Sequence, residues 1–249
     1  MQFDPPLVPA RLLRRYKRFL ADVEFPDGSH ATVHTPNTGS MRGCAEPGMR
    51  IWLRDATAGG KGGGRKYRYS WDVSETAEGV LVGVNTLLAN RLVEEAIDAG
   101  VITELGGYRQ RRREVPCGDP DARPRSRIDL LLEDEAGRCF VEVKNVTAMA
   151  SDGRAVFPDA VTARGRRHLH ELAAQAAQGH RAVMLFCVPR GDAAGFAPAW
   201  DIDPAYAETL HAVTQQGVEI YAYKGETTPR GSQLTAPLPV DLASPAARQ

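Results

Sequence analysis

Through the first eighty residues the apolar positions come in short, two-periodic runs. Arg18 to Phe25, Ala31 to Thr35, Arg50 to Leu53 and Tyr69 to Val73 each read as a strand, punctuated by Pro26-Asp27-Gly28, Pro47-Gly48 and the glycine-rich run 59–64. Five or so such strands predict a small closed sheet of the OB type over residues 1–83. From about residue 84 the period lengthens. Thr86 to Ala99 reads as a helix closed by Gly100, strands follow at 111–117, 127–133 and 138–146, and Val161 to Gln178 is a second long helix. Arg181 to Val188 is almost continuously apolar, as a strand covered on both faces must be. A helix over Pro204–Gln216 and a strand over Val218–Tyr223 complete the series. The order predicts an α/β (α+β) domain over 84–235, a mixed sheet flanked by helices. The Pro/Ala-rich remainder, 236–249, is expected to be loosely held.

Composition adds exclusions. With 31 basic and 31 acidic residues in 249, no global charge attracts a polyanion, so any nucleic-acid contact rests on local clusters. Cys44, Cys117, Cys139 and Cys187 are far apart, which excludes a zinc ribbon and points to a reducing compartment. No apolar run reaches membrane-spanning length, and the expected location is cytoplasmic.

The candidate chemistry lies in two predicted strands. Glu142 and Lys144 are two apart and share a face, while Val141 and Val143 take the other. Asp129 stands opposite the apolar face Ile128, Leu130, Leu132. If the strands pair through the turn near Glu135–Gly137, two carboxylates and an ammonium converge. Two hard oxygen ligands suit Mg²⁺ or Mn²⁺, and a lysine there can orient water or hold a phosphate. A surface ion pair is the plainer reading of the same residues. Glu95, on the helix ahead of the strands, is placed to add a carboxylate or to pair with Arg91 four residues before it.

Cations alternate with rings in Arg14-Arg15-Tyr16-Lys17-Arg18-Phe19 and in Arg65-Lys66-Tyr67-Arg68-Tyr69, a pattern that follows phosphates and stacks on bases. A basic outer face over an aromatic core face reads equally well. Arg111-Arg112-Arg113 forms a third cluster. Arg164, Arg167 and His168 line one side of the second long helix near its N-terminal end, where an anion would suit them better than the helix dipole does, and where a solvated basic face reads equally well. Gly165 in the apolar stripe of that helix calls for close packing against the sheet.

The runs Arg14–Val23, Pro36–Met41, Arg65–Tyr67, Ser126–Asp129, Glu142–Lys144 and Phe157–Thr162 appear in an order that resembles the sugar fermentation stimulation protein (SfsA) family, from near residue 1 to about 225. The resemblance implies an OB-like barrel followed by a PD-(D/E)XK nuclease-like domain. It also implies sequence-nonspecific DNA binding and a part in regulating sugar (maltose) metabolism. Asp129, Glu142 and Lys144 then match the nuclease motif, with Glu95 as the extra carboxylate and Arg127 among the nucleic-acid contacts. The main-chain carbonyl of Val143 is expected to join the ligands, as strand carbonyls do at such sites. Thr35 stands where the family usually has cysteine, which removes a thiol role there. Two functions follow: a nuclease using Mg²⁺ or Mn²⁺ on DNA or RNA, or a non-catalytic DNA-binding regulator. A sugar-processing enzyme finds no legible pair of catalytic carboxylates.

Overall fold

The computed structural model describes residues 1–57, 66–117, 126–135 and 137–244. Strands β1 (Val8–Tyr16), β2 (Leu20–Glu24), β3 (His30–His34), β4 (Arg50–Asp55), β5 (Tyr69–Glu75) and β6 (Leu81–Gly83) form one sheet in the order β3-β2-β1-β4-β5-β6. A parallel bridge from His34 to Ser70 joins β3 to β5 and closes five of them into a barrel. Leu12, Val23, Val33, Ile51, Leu53 and Trp71 fill its interior. Strand β1 was not among the expected strands. A bulge between Leu12 and Arg14 shifts its register against β2, so the alternation fails midway along it.

The second domain opens with a 3-10 turn, Thr86–Leu88, running into α1 (Ala89–Asp98). Next come β7 (Gln110–Cys117), β8 (Ser126–Asp134), β9 (Gly137–Asn145), β10 (Arg154–Phe157) and α2 (Ala163–Ala177). The chain continues through β11 (Arg181–Val188), β12 (Gly195–Pro198), α3 (Pro204–Thr214), β13 (Val218–Thr228) and β14 (Gly231–Pro237). The main sheet runs β14-β13-β11-β9-β8-β7, parallel across β9, β11 and β13 and antiparallel outside them. Leu92, Val93 and Ala96 of α1 cover one face over Val141, Val143 and Val183. Leu169 and Leu172 of α2, with Leu210 of α3, cover the other over Met184 and Phe186.

Several expectations change. Leu130 and Leu132 pack under α1, but Ile128 goes to the core beneath α2 and α3, because both faces of this sheet are apolar and β8 turns as it leaves the ladder. Gly165 meets a helix rather than the sheet: a Cβ there would lie 3.1 Å from the ring of Tyr206 on α3. Strands β10, β12 and β14 are short or late pairings that periodicity did not indicate. The segment from 236 is docked, not loose, at least to Leu242. Leu238 is buried, Val240 bridges to Phe196, and Leu242 packs on the same core.

The two domains share a broad contact. Phe3 and Leu7 donate their N–H groups to Arg230 and Pro229 carbonyls on the β13–β14 hairpin, each at 2.8 Å, while their side chains pack on Val73 of the barrel. Gly83 N–H donates to Pro189 O at 2.9 Å. On the opposite side Asp159 accepts from Met41 N at 2.9 Å and from Ser40 Oγ at 3.3 Å. All four cysteines are buried thiols. Among the described residues no helix is long and apolar enough to cross a membrane.

Candidate metal and nucleic-acid site

Strands β8 and β9 pair from Asp134↔Gly137 to Leu130↔Val141 and then part. The side chain of Asp129 enters the gap. Its Oδ2 accepts from Val143 N at 2.8 Å, and its Oδ1 accepts from Asn90 Nδ2 at 3.0 Å. In a strand, the N–H and C=O of one residue face the same neighbour. The carbonyl of Val143 therefore lies on the edge of β9 that faces Asp129. Burial, then the nearby charge of Glu142, pushes the Asp129 carboxyl up to about 6.

Glu142 points to the α2 side and is 2% exposed. Its Oε1 receives both Lys144 Nζ and His168 Nδ1 in short hydrogen bonds. Burial alone would raise its carboxyl, but His168 and Lys144 offset that and hold it below the usual value. Its Oε2 is buried with no hydrogen-bond partner among the described residues. A buried carboxylate oxygen without a donor is costly and calls for a cation, a water or a proton. This orphaned oxygen, beside a second carboxylate that resists ionisation, fits a divalent ion. No trio of His, Cys, Asp and Glu among the described residues is gathered for one ion. Ligation would draw on Asp129, Glu142, the Val143 carbonyl and water, the sparing set that Mg²⁺ favours.

A cleft of about 490 Å³ opens above these groups, between the domains. Asp129, Val143, Lys144 and Asn145 form its floor, and Asn37–Gly39, Leu87, Asn90, Glu114, Asp159 and Arg164 contribute to its walls. A cavity of about 500 Å³ on the barrel is lined by Arg11, Glu24, Phe25 and Arg50, but its carboxylate is already bound by Arg11.

The structure thus gathers Asp129, Val143, Lys144 and Arg164 at the cleft, with Glu142 buried beneath it. Glu95 is not among them. It pairs with Arg91 at 2.8 Å and with the Met1 ammonium at 2.6 Å. Asn90 takes the place expected of it, because Glu95 lies five residues, about 140° around the helix, from the residue that reaches Asp129. His168 is no phosphate contact, since it is 3% exposed and spent on Glu142. Arg164 Nε lies 3.4 Å from His168 Nε2, and Arg167 pairs with Glu171 at 3.6 Å on the helix surface.

The basic-aromatic residues divide. Arg15 donates to the carbonyls of Arg18, Asn37, Gly39 and Ser40, and Arg18 Nε donates to Thr38 O at 3.0 Å. Both hold the loop that walls the cleft. Arg14 is exposed but paired with Asp22 at 2.7 Å. Lys17 and Arg127 are exposed, as is Lys66, which lies 5.5 Å from the ring of Tyr67. Arg65, like the glycine run 59–64, lies outside the described residues. The cluster Arg111–Arg113 is neutralised by Asp98, Glu133 and Glu94 in turn.

Glu114 is a cleft residue that the sequence reading missed. It sits opposite Asp129, between the pairs Arg113↔Leu130 and Val115↔Ile128, with φ at +51°. Three adjacent arginines drew attention away from it, and no periodicity marks a single bent strand residue. Asn90 gave no signal either, being one of several polar residues on an amphipathic helix.

Comparison with known proteins agrees with this architecture. Residues 13–84 match the SfsA N-terminal OB domain, and residues 87–231 match the sugar fermentation stimulation protein RE domain. A sugar fermentation stimulation protein homolog of Thioalkalivibrio sulfidiphilus (strain HL-EbGR7) is 53% identical over 243 residues, covering 98% of this chain and 99% of the relative. A homolog of Halorhodospira halophila (strain DSM 244 / SL1) is 52% identical over 243 residues, covering 96% and 98%. The solved structure of Pyrococcus furiosus SfsA in complex with Ca²⁺ superposes with a TM-score of 0.83 at 29% identity, over 95% of this chain and 96% of that one. The barrel, the mixed sheet behind it and these full-length likenesses together place the chain in the sugar fermentation stimulation protein (SfsA) family.

Proposed function

We propose that the protein binds nucleic acid and cleaves its phosphodiester bonds with a divalent cation held by Asp129, Glu142 and the main-chain carbonyl of Val143. The observation that carries the reading is the convergence of Asp129 and Lys144 on one cleft floor over Glu142, whose Oε2 is buried without a donor. Mg²⁺ or Mn²⁺ at these oxygens would stabilise charge on the scissile phosphate and acidify a bound water. The Ca²⁺ of the Pyrococcus relative is a hard cation of the same kind. Lys144, tied to Glu142, holds its ammonium where it donates to the phosphate or to the attacking water. Asn90 fixes the Asp129 carboxylate, and His168 fixes Glu142. Arg164 at the cleft wall takes a neighbouring phosphate, and the exposed cations Lys17, Lys66 and Arg127 follow the strand beyond the cleft.

The test is incubation with labelled single-stranded and duplex DNA and RNA in Mn²⁺, Mg²⁺ or EDTA, beside Asp129→Ala and Lys144→Ala. Cleavage that needs metal and vanishes in both variants is expected. Tight binding without cleavage, equal in wild type and variants, would leave a non-catalytic DNA-binding protein.

A further inference from the structure

We propose that Leu87 is an apolar wedge that parts the strand at the mouth of the cleft, so that the substrate is unpaired or fraying nucleic acid; this rests on the nucleic-acid reading above. Three large hydrophobic side chains are exposed among the described residues: Phe19, Leu87 and Val161. One of them lines this cleft. It is Leu87, 75% exposed.

Leu87 is not the tip of a loose loop. Its N–H donates to Asn85 Oδ1 at 3.0 Å, and the Asn85 amide donates to the buried carboxylate of Asp72 at 2.7 Å. The Thr86 hydroxyl donates to Pro36 O at 3.2 Å. Leu88 and Ala89 turn inward onto the two cores. A braced 3-10 turn therefore holds an apolar side chain out into the mouth of a polar cleft, where water is its poorest neighbour. A cleft of about 490 Å³ is the size of a small-ligand pocket and holds a nucleotide or two rather than the width of a duplex. In this proposal a strand leaves its stack to reach Asp129 and Lys144. The polar floor takes its phosphate, and the base beside it meets Leu87. Apolar side chains at such positions open base steps.

The test uses a duplex with 2-aminopurine near one end, and the same labelled strand alone. Fluorescence is read in Ca²⁺ and cleavage in Mn²⁺. Wild type is expected to raise the fluorescence of the duplex. Leu87→Ala should cut that rise severalfold and lower duplex cleavage relative to single-strand cleavage by about tenfold, and Leu87→Met should restore both. An unchanged rise in Leu87→Ala, or equal loss on both substrates, overturns the wedge. So does a wild type that cleaves the duplex with no rise. A rise in a wild type that cleaves nothing keeps the wedge and removes the nuclease. If sedimentation shows a wild-type dimer and a Leu87→Ala monomer, the lip is a subunit contact and the proposal fails.

Discussion

Asp129 and Glu142 are pushed in opposite directions, because burial wins at the first and charged partners win at the second. Burial and the charge of Glu142 raise Asp129 to about 6 against the pull of its two neutral N–H donors, whereas Glu142 is held low by His168 and Lys144. A carboxyl whose folded value exceeds its unfolded one binds protons more tightly in the native state. Its cost is absent well below 3.8, grows between there and about 6, and is full above that. Moving it from 3.8 to about 6 is worth up to about 3 kcal/mol, and a lost acceptor offsets about 1 kcal/mol. Asp129→Asn should therefore stabilise the metal-free protein by about 2 kcal/mol at pH 8, a gain that fades toward pH 4 in urea titrations. Divalent ions should raise the Tm of wild type and not of this variant; a variant less stable than wild type at pH 8 in EDTA would contradict the assignment. His168→Ala strips a buried carboxylate of one of its two partners and should cost about 3 kcal/mol, with His168→Gln losing clearly less in the same titration. The Glu142/Lys144 pair was legible because strand alternation is a strict rule. Asn90 was not, because an apolar stripe says which side of a helix is buried but not which residue reaches a strand end across it.

At the level of elements, the loop Asn37–Met41 depends on others for its shape. Arg15 and Arg18 grip its carbonyls from the β1–β2 turn, where Lys17 and Arg18 both adopt left-handed φ, +50° and +65°. The alternation of cations and rings marked a basic segment but not its turn between β1 and β2, and which cations are spent inward depends on chain twenty or more residues away. Arg15→Ala should cost about 2 kcal/mol through lost charge-assisted bonds, yet leave the salt slope of DNA binding unchanged. Lys17→Ala should do the reverse, leaving the urea midpoint in place while the slope of log K against log salt falls by about 1. Equal slopes in the two variants would show that the hairpin tip does not touch phosphate.

For the whole molecule, zero net charge reflects local neutralisation, since Arg111, Arg112 and Arg113 each meet an acid. The barrel and the mixed sheet were readable as separate patterns, but their joint was not, because a contact such as Asp159 to Met41 leaves no periodicity. A Cβ at Gly39 would lie 2.6 Å from Asp159 Oδ1. Gly39→Ala should therefore dislodge that carboxylate and split a single urea transition into two, one per domain; a single transition like that of wild type would show that the joint lies elsewhere. The segment 1–7 lies along the β13–β14 hairpin before the chain enters the barrel, and Gly83 is tied to Pro189 where it leaves. The barrel is thus slung between two anchorages on the same neighbour, as a gate hangs on two pins. Each pin blocks rotation about the other. The two pins alone would leave a swing about the line through both, and the Asp159 contacts with Ser40 and Met41 latch that swing, so the walls facing Asp129 keep a fixed spacing.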